Sequence, residues 1–182
     1  MNANGVARAA YATLAAAAVL LPHSSAAEVS GACGKAVGTF LTRNALDNAG
    51  RTGTSASLLV FTNGGHVLRF DSDETGGAMD SRPFGNSAGT WRCDGADKDG
   101  TVRLTATMLD FTYPDAEGDE GQLARIDVTG RFLPETETLE LEGKLGFLPL
   151  RSEGQAAGAL THATSVTTVI YKGKRVELPP AP

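Results

Sequence analysis

The sequence predicts an all-β protein whose strands close into an eight-stranded antiparallel up-and-down β-barrel. Runs rich in Val, Leu, Thr and Phe are separated by short segments of Gly, Asp, Asn and Pro, and helical periodicity is almost absent. The runs follow one another through short turns, which is typical of a meander, and a meander of this length avoids exposed edges by closing on itself. Two runs also open on the same Gly-Thr-aromatic step, in VGTFLT and AGTWRC.

The first 27 residues have the pattern of a secretory signal peptide. Arg8 precedes an apolar run over residues 9–21, and small residues precede the expected cleavage after Ala27. The apolar run is shorter than the roughly 20 residues that a membrane-spanning helix needs. We therefore expect no membrane span, a periplasmic or secreted protein, and one barrel domain over residues 28–182.

The charge of the chain argues against some classes of partner. The chain of 182 residues has 16 basic and 21 acidic side chains, a formal net charge of −5. Removal of the signal segment takes away one Arg and no acidic residue, which leaves −6. Because no cluster of Lys and Arg is present, we expect neither nucleic acid nor an anionic lipid surface as a partner. The sequence makes no prediction of the oligomeric state.

Two cysteines, Cys33 and Cys93, are the whole cysteine content. In an exported protein both would lie where disulfides persist, so we expect them to form one. Free buried thiols are the alternative. A metal role is weaker still, because two isolated sulfurs lack the close spacing of zinc ligands.

Eight segments of the mature chain combine β-favouring composition with flanking turn residues. They are residues 35–44, 55–64, 66–73, 88–95, 101–114, 122–134, 138–150 and 164–178. Three connections have the composition of hairpin turns, namely Asn63-Gly64-Gly65, Asp97-Lys98-Asp99-Gly100 and Pro134-Glu135-Thr136-Glu137. Residues 29–36 are expected to plug or cap one end of the barrel, a weak helical signal covers residues 36–50, and the final ELPPAP is expected to be a mobile tail.

Alternation along the later strands predicts which side chains face inward. In TLELEGKL, the leucines share one face and the charged residues share the other, so the leucines are expected inside. In QLARIDVTGRF, two orientations remain open for Arg125, Asp127 and Arg131: an outward ladder of charges, or an inward set that orients a polar ligand group. In TVRLTATMLDFTY the apolar face changes midway, which predicts a bulge over residues 108–110.

Six side chains are the candidates for an apolar ligand-binding wall. If they share the interior, they form a surface that can bury an apolar molecule. They are Phe61, Phe70, Trp91, Met108, Phe147 and Tyr171. For Phe40 and Trp91, at the repeated step, closure of a narrow barrel end, ordinary core packing and cavity lining all remain possible.

The stretches SLLVFTNGGHVLRFDSD, GTWRC, ATMLDFTY and ARIDVT resemble a group of bacterial proteins with a lipocalin-like (calycin) barrel, related in shape to the allene oxide cyclase barrel. The resemblance covers about residues 35–178. In lipocalins a Gly-x-Trp step on the first strand is covered by a basic residue from the last strand. The resemblance places Gly38 and Phe40 at that step, with Phe in place of Trp, and Lys174 or Arg175 as the basic partner.

Motifs of independent chemistry are absent from the sequence. There is no nucleophile elbow, zinc-protease helix, phosphate loop or dinucleotide fingerprint. His66 with Asp71 and Asp73 could form a metal or acid-base site, although a solvated turn histidine is the more ordinary interpretation. The acidic stretch PDAEGDEG lacks the ligand spacing of a calcium loop. We therefore expect neither a metal nor a cofactor.

These observations favour a barrel that binds a small apolar molecule in its lumen, since eight strands leave room for side chains or for one small ligand. Two alternatives remain. One is a cyclase or isomerase that holds a flexible apolar substrate in one conformation. The other is a structural or interaction module with a filled core.

Overall fold

The computed structural model describes residues 31–48, 51–77, 82–114, 120–150, 160–163 and 165–177. The predicted signal peptide, most of the acidic stretch and residues 178–182 of the C-terminal ELPPAP lie outside these ranges. Within them, no helix is long and apolar enough to cross a membrane.

The described part of the chain forms the predicted all-β barrel. Its eight strands are β1 Gly38–Asn48, β2 Arg51–Phe61, β3 His66–Asp71, β4 Ser87–Ala96, β5 Val102–Thr112, β6 Gln122–Leu133, β7 Thr138–Pro149 and β8 Val166–Arg175. Each strand pairs antiparallel with the next, and β8 pairs antiparallel with β1, so that the sheet closes in up-and-down order. Closure gives every strand a hydrogen-bonded neighbour on both sides.

The weak helical signal over residues 36–50 is wrong. β1 runs as a strand to Asn48, and Leu46 is paired with Gly53 of β2 on one side and with Val169 of β8 on the other. Pairing on both edges satisfies the backbone of β1 and overrides its local preference. Helical structure in this region is confined to a short 3₁₀ helix, Gly31–Ala36, which precedes β1.

The two ends of the barrel differ in their connections. At the closed end, where β1 begins, strands are joined by the short connections 62–65, 97–101 and 134–137. At the opposite, loop end lie the longer connections 72–86, 113–121 and 150–165. Short hairpins hold neighbouring strands rigidly, whereas long connections are where binding residues concentrate.

The bulge predicted over residues 108–110 is wrong. β5 pairs with β6 in unbroken register from Val102 to Thr112, and its buried positions alternate along the whole strand. Asp110 consequently faces inward, while Phe111 on the outer face is 60% exposed. A register shift occurs instead in β4, between Cys93 and Gly95.

An aromatic cluster fills the closed end. Phe40, Phe61 and Phe132 are at most 1% exposed, and Trp91 is 5% exposed. Their rings meet edge to face, with centroids 5.3–5.9 Å apart for the pairs Phe40–Phe61, Phe40–Phe132 and Phe61–Trp91. Phe40 and Trp91 thus belong to one packed floor, although β1 and β4 run in opposite directions through the barrel.

The predicted disulfide joins Cys33 and Cys93, whose Cα atoms are 5.8 Å apart. Cys33 lies in the 3₁₀ helix and Cys93 on β4. Ala36, at the end of that helix, is fully buried in the core. The disulfide therefore fastens the N-terminal segment to the closed end of the barrel, consistent with the cap expected there.

Glycines allow neighbouring strands to approach closely. At Gly143 of β7, an added Cβ atom would lie 1.9 Å from the carbonyl oxygen of Asp127 on β6. Gly89, Gly130 and Gly173 show the same close approach to the backbone of an adjacent strand. A side chain at such a position would force the strands apart.

The substitution Gly143→Ala is expected to lower the free energy of unfolding by about 1–3 kcal/mol or more, because the added methyl group meets backbone that cannot move cheaply. The matched control is Gly64→Ala, where the nearest atom to the added Cβ, Cδ2 of His66, is 3.6 Å away. That exposed change should stay within about 0.5 kcal/mol. Urea unfolding of both variants measures the difference, and equal stabilities would contradict this account of Gly143.

Candidate functional site

The lumen has two chemically different halves. Towards the closed end its wall is apolar and packed. Towards the loop end, β1–β5 contribute buried polar side chains to the wall, whereas β6–β8 contribute mainly apolar ones. Buried polar groups are rare unless they are paired or functional, so the loop-end half is the candidate site.

Arg69 is the centre of this polar wall. The alternating burial of β3 puts Val67, Arg69 and Asp71 on the inner face, and Arg69 is only 7% exposed. Its Nη2 makes an ion pair with Asp71, and its Nη1 donates a hydrogen bond to Ser87 Oγ over 3.1 Å. Asp110 Oδ2 lies 3.7 Å from the same Nη1. We call Arg69, Asp71, Ser87 and Asp110 the Arg69 network.

Asp71 is saturated with hydrogen-bond donors. Its Oδ2 accepts from Asn44 Nδ2 over 2.9 Å and from Ser57 Oγ over 2.7 Å, in addition to the guanidinium. Ser55 Oγ donates to the same oxygen, and the backbone N–H of Asp73 donates to Oδ1. Such a set of donors stabilises the ionised carboxylate.

Asp110 has fewer partners. Ser87 Oγ donates to its Oδ2 and the backbone N–H of Gly85 donates to its Oδ1, each over 3.1 Å. Ser87 therefore connects Arg69 to Asp110 by accepting from one and donating to the other. Phe84, which precedes β4, forms an antiparallel bridge with Thr112 at the end of β5.

The three charged side chains of the network differ in protonation tendency. Burial alone would lower the pKa of Arg69, but electrostatic interactions with Tyr171, Asp71 and Asp110 outweigh burial, so the pKa is raised and the guanidinium stays charged. Burial would raise the pKa of Asp71, but Arg69 and the donated hydrogen bonds hold it below its usual value. For Asp110, burial prevails over the hydrogen bond from Ser87 and the charge of Arg69, so its pKa is raised.

Aromatic rings lie on the guanidinium. Cζ of Arg69 is 5.3 Å from the ring centroid of Phe84 and 5.9 Å from that of Tyr171. Tyr171 is fully buried, and burial raises its pKa, which keeps the phenol protonated. Cation–π contacts of this kind orient the planar group and restrict its rotation.

One row of inward-facing residues contains both polar residues of the Arg69 network and apolar residues of β6 and β7. Arg69 pairs with Ser87 across β3 and β4, Asp110 pairs with Ala124 across β5 and β6, and Ala124 pairs with Phe147 on β7. The side chain of Ala124 is small, and Phe147 is half-buried. The row therefore changes from charged to apolar within a few side chains.

The six predicted ligand-lining residues divide among three environments. Phe61 and Trp91 belong to the closed-end cluster, Met108 and Tyr171 are buried deeper in the wall, and Phe147 lies at the loop end. Phe70 is 41% exposed on the outer face, so the inward orientation predicted for it is wrong. It shares that face with Leu68, because Val67, Arg69 and Asp71 occupy the inward positions of β3. A binding role for the other five stays a prediction.

Arg175 confirms the predicted basic partner of Phe40. Its Cζ lies 4.8 Å from the ring centroids of both Phe40 and Phe132. The same guanidinium donates to the carbonyl oxygens of Val37 and Lys35. Arg175 thereby closes the apolar floor and binds the N-terminal segment to β8.

The charges of β6 lie on the outer face. Arg125 pairs with Asp127, and Arg131 pairs with Glu140 on β7. Of the two orientations left open by the sequence, the outward ladder is therefore the one adopted. Among the charged side chains of the lumen, Arg69 is one that sequence reasoning did not single out.

The set of His66, Asp71 and Asp73 is not assembled. His66 lies on the exposed face of β3, whereas Asp71 and Asp73 are buried. In the part of the chain that the structure describes, no group of three His, Cys, Asp or Glu side chains could hold a metal ion.

The chain matches no protein-family model, and comparison with curated proteins and with solved structures finds no significant match either.

Proposed function

We propose that the barrel binds one small, mainly apolar molecule in the loop-end half of its lumen. The supporting observation is that apolar side chains at inward positions near this end, Leu46, Leu145 and Phe147, remain half-buried, whereas those at the closed end are fully covered. Burying their remaining surface against a ligand is favourable at roughly 25 cal/mol per Å². The closed-end cluster forms the floor of the site.

The Arg69 network supports the same proposal. Buried ion pairs contribute little net stability, because the desolvation of both charges offsets their attraction. Apolar side chains of similar size at these positions would give the core about the same stability. A lumen that combines an apolar wall with a few fixed polar groups is typical of ligand sites.

The closed up-and-down barrel and the packing of Arg175 over Phe40 also support a place among lipocalin-like proteins. We propose in addition that the protein is exported, as the signal-peptide pattern of residues 1–27 predicts. A disulfide between Cys33 and Cys93 is in keeping with an oxidising compartment.

Two variants distinguish a residue that lines the proposed site from a residue of the closed-end aromatic cluster. Phe147→Ala is expected to lower the affinity for apolar fluorescent probes at least about tenfold with little loss of stability, because Phe147 is half-buried beside the site. Phe61→Ala is expected to lower the free energy of unfolding by about 3–5 kcal/mol, as for a large-to-small change in a packed core. Probe titration and urea unfolding of the same samples provide both measurements.

Native mass spectrometry of gently purified protein complements the titration, since a co-purified molecule would identify the ligand directly. A lumen that takes no probe, together with a core-like loss of stability in Phe147→Ala, would show that the interior is solid and that the proposed function is wrong.

A further inference from the structure

Arg69 Nε is the buried side-chain polar atom that has no hydrogen-bond partner among the described residues. The rest of the guanidinium is fixed, because Nη2 is paired with Asp71, Nη1 donates to Ser87, and the rings of Phe84 and Tyr171 lie against it. A planar group held in this way cannot turn Nε towards another acceptor without losing those contacts.

An unpaired N–H at this position is costly. A buried donor without an acceptor loses about 1–3 kcal/mol, and more when the group is charged. Most buried polar groups in native proteins are paired for this reason. Arg69 Nε is therefore a buried donor that lacks the acceptor that native proteins usually supply.

The charges around Arg69 select the kind of acceptor. Its positive charge already faces Asp71 and Asp110. Asp73, two residues after Asp71 in the sequence, is also buried. A carboxylate on the ligand would add a further negative charge to a poorly solvated site that already holds several. An ammonium group offers no lone pair to Nε. An uncharged acceptor avoids both penalties.

Among uncharged acceptors, a carbonyl oxygen is the one that needs no acceptor for a hydrogen of its own. A carbonyl accepts without bringing a hydrogen of its own, whereas a hydroxyl needs a further acceptor. Oδ2 of Asp71 is already approached by four donors, from Asn44, Ser55, Ser57 and Arg69.

We propose that Arg69 Nε donates a hydrogen bond to an uncharged carbonyl oxygen of the bound molecule. The barrel then takes aldehydes, ketones or esters with an apolar body in preference to free acids or amines. The body lies towards Ala124 and Phe147, where the row of inward-facing residues becomes apolar. This inference rests on the proposed function, because it names the polar group of the same ligand.

Two series of similar shape test it. One consists of acetophenone, benzoate, benzylamine and ethylbenzene, and the other of heptyl methyl ketone, nonanoate, nonylamine and nonane. Each compound is titrated into isotope-labelled protein while the Nε–H signal of Arg69 is followed by NMR. In at least one series, the ketone should shift this signal saturably and bind about tenfold more tightly than its acid, amine and hydrocarbon counterparts, a difference of about 1.4 kcal/mol.

Arg69→Lys keeps a positive charge and removes Nε–H. The variant therefore identifies the Nε–H signal of Arg69 by its loss, and it also serves as the matched variant for the binding measurements. It should lower the ketone affinity about tenfold and leave the hydrocarbon affinity within about twofold. Arg131→Lys, on the outer face, should change neither affinity. Circular dichroism verifies that both variants fold, and if Arg69→Lys does not fold, the titration of the unmodified protein decides.

Three results would overturn the inference. If the hydrocarbon or the acid binds as tightly as the ketone and the Nε–H signal does not move, the headgroup is wrong while the proposed function stands. If a water molecule still accepts the hydrogen bond from Arg69 Nε when the ketone is bound, the missing acceptor is a buried water molecule and not the ligand. If no compound of either series binds, both the inference and the proposed function are wrong.

Discussion

Replacement of Asp71 by Asn should lower the free energy of unfolding by about 3–5 kcal/mol at neutral pH, the cost of removing one partner from a buried ion pair. The variant leaves the guanidinium of Arg69 without its ionised partner in the lumen. The new amide group would also point donors at Asn44 and Ser57, which already donate to this position. Urea unfolding followed by Trp91 fluorescence measures the loss.

Two further variants serve as controls for Asp71→Asn. Asp127→Asn breaks a pair with Arg125 on the partly exposed outer face and should cost less than about 1 kcal/mol. Asp110→Asn should be better tolerated than Asp71→Asn, because burial disfavours the ionised form of Asp110. Equal losses in Asp71→Asn and Asp127→Asn would show that the Arg69 network has no special place in the fold.

The pH dependence of stability should separate the two carboxyl groups. The pKa of Asp71 is lowered in the folded protein, so its contribution is fully present above the unfolded pKa, about 3.9, and is lost as the pH falls through the folded pKa. The pKa of Asp110 is raised, so its ionisation costs stability as the pH rises from the unfolded pKa through the folded one. Asp71→Asn should remove the first dependence, and Asp110→Asn the second.

Loss of the disulfide is the other change with a large expected effect. Replacement of both Cys33 and Cys93 by Ala should lower the free energy of unfolding by roughly 4 kcal/mol, because the two residues are 60 positions apart and the bond restricts the unfolded chain. In the folded protein, the 3₁₀ helix Gly31–Ala36 would lose its covalent attachment to β4. Its remaining ties include the bonds that Arg175 makes to the carbonyl groups of Lys35 and Val37.

Reductant distinguishes the disulfide from the substitutions themselves. Denaturant unfolding of the unmodified protein with and without reductant should show a similar loss, whereas the double variant should be insensitive to reductant. Thiol labelling of the denatured, non-reduced protein should find no free cysteine. A reductant-independent stability in the unmodified protein would contradict a stabilising role for the bond.

Much of the fold followed from local patterns. The strand segments were predictable because a β-favouring run flanked by Gly, Asp or Pro has few alternatives. On β7, leucine at 139 and 141 alternates with glutamate at 140 and 142, so the inward face was evident and is the one observed. The disulfide followed from a count of two cysteines and the expectation of export.

The candidate site was harder to predict, because the rule that the more apolar face of a strand points inward fails there. In HVLRFD, Leu68 and Phe70 suggest one buried face, yet Arg69 and Asp71 occupy it. The C-terminal end of β5 shows the same inversion, since Asp110 is buried and Phe111 is exposed. Alternation reveals that a strand has two faces, but the more apolar face is the inner one only when the interior is apolar.

By itself, the sequence determined the class, the number and order of the strands, and the pairing of the cysteines, all of which depend on local composition or on a count. Only the tertiary structure decided which face of β3 and of the end of β5 points into the lumen. Orientation there depends on register with neighbouring strands, and a one-residue change of register exchanges the two faces. Arg69 can be buried because Asp71, Ser87 and Asp110 reach it from β3, β4 and β5, and such compensation exists only after the barrel has closed.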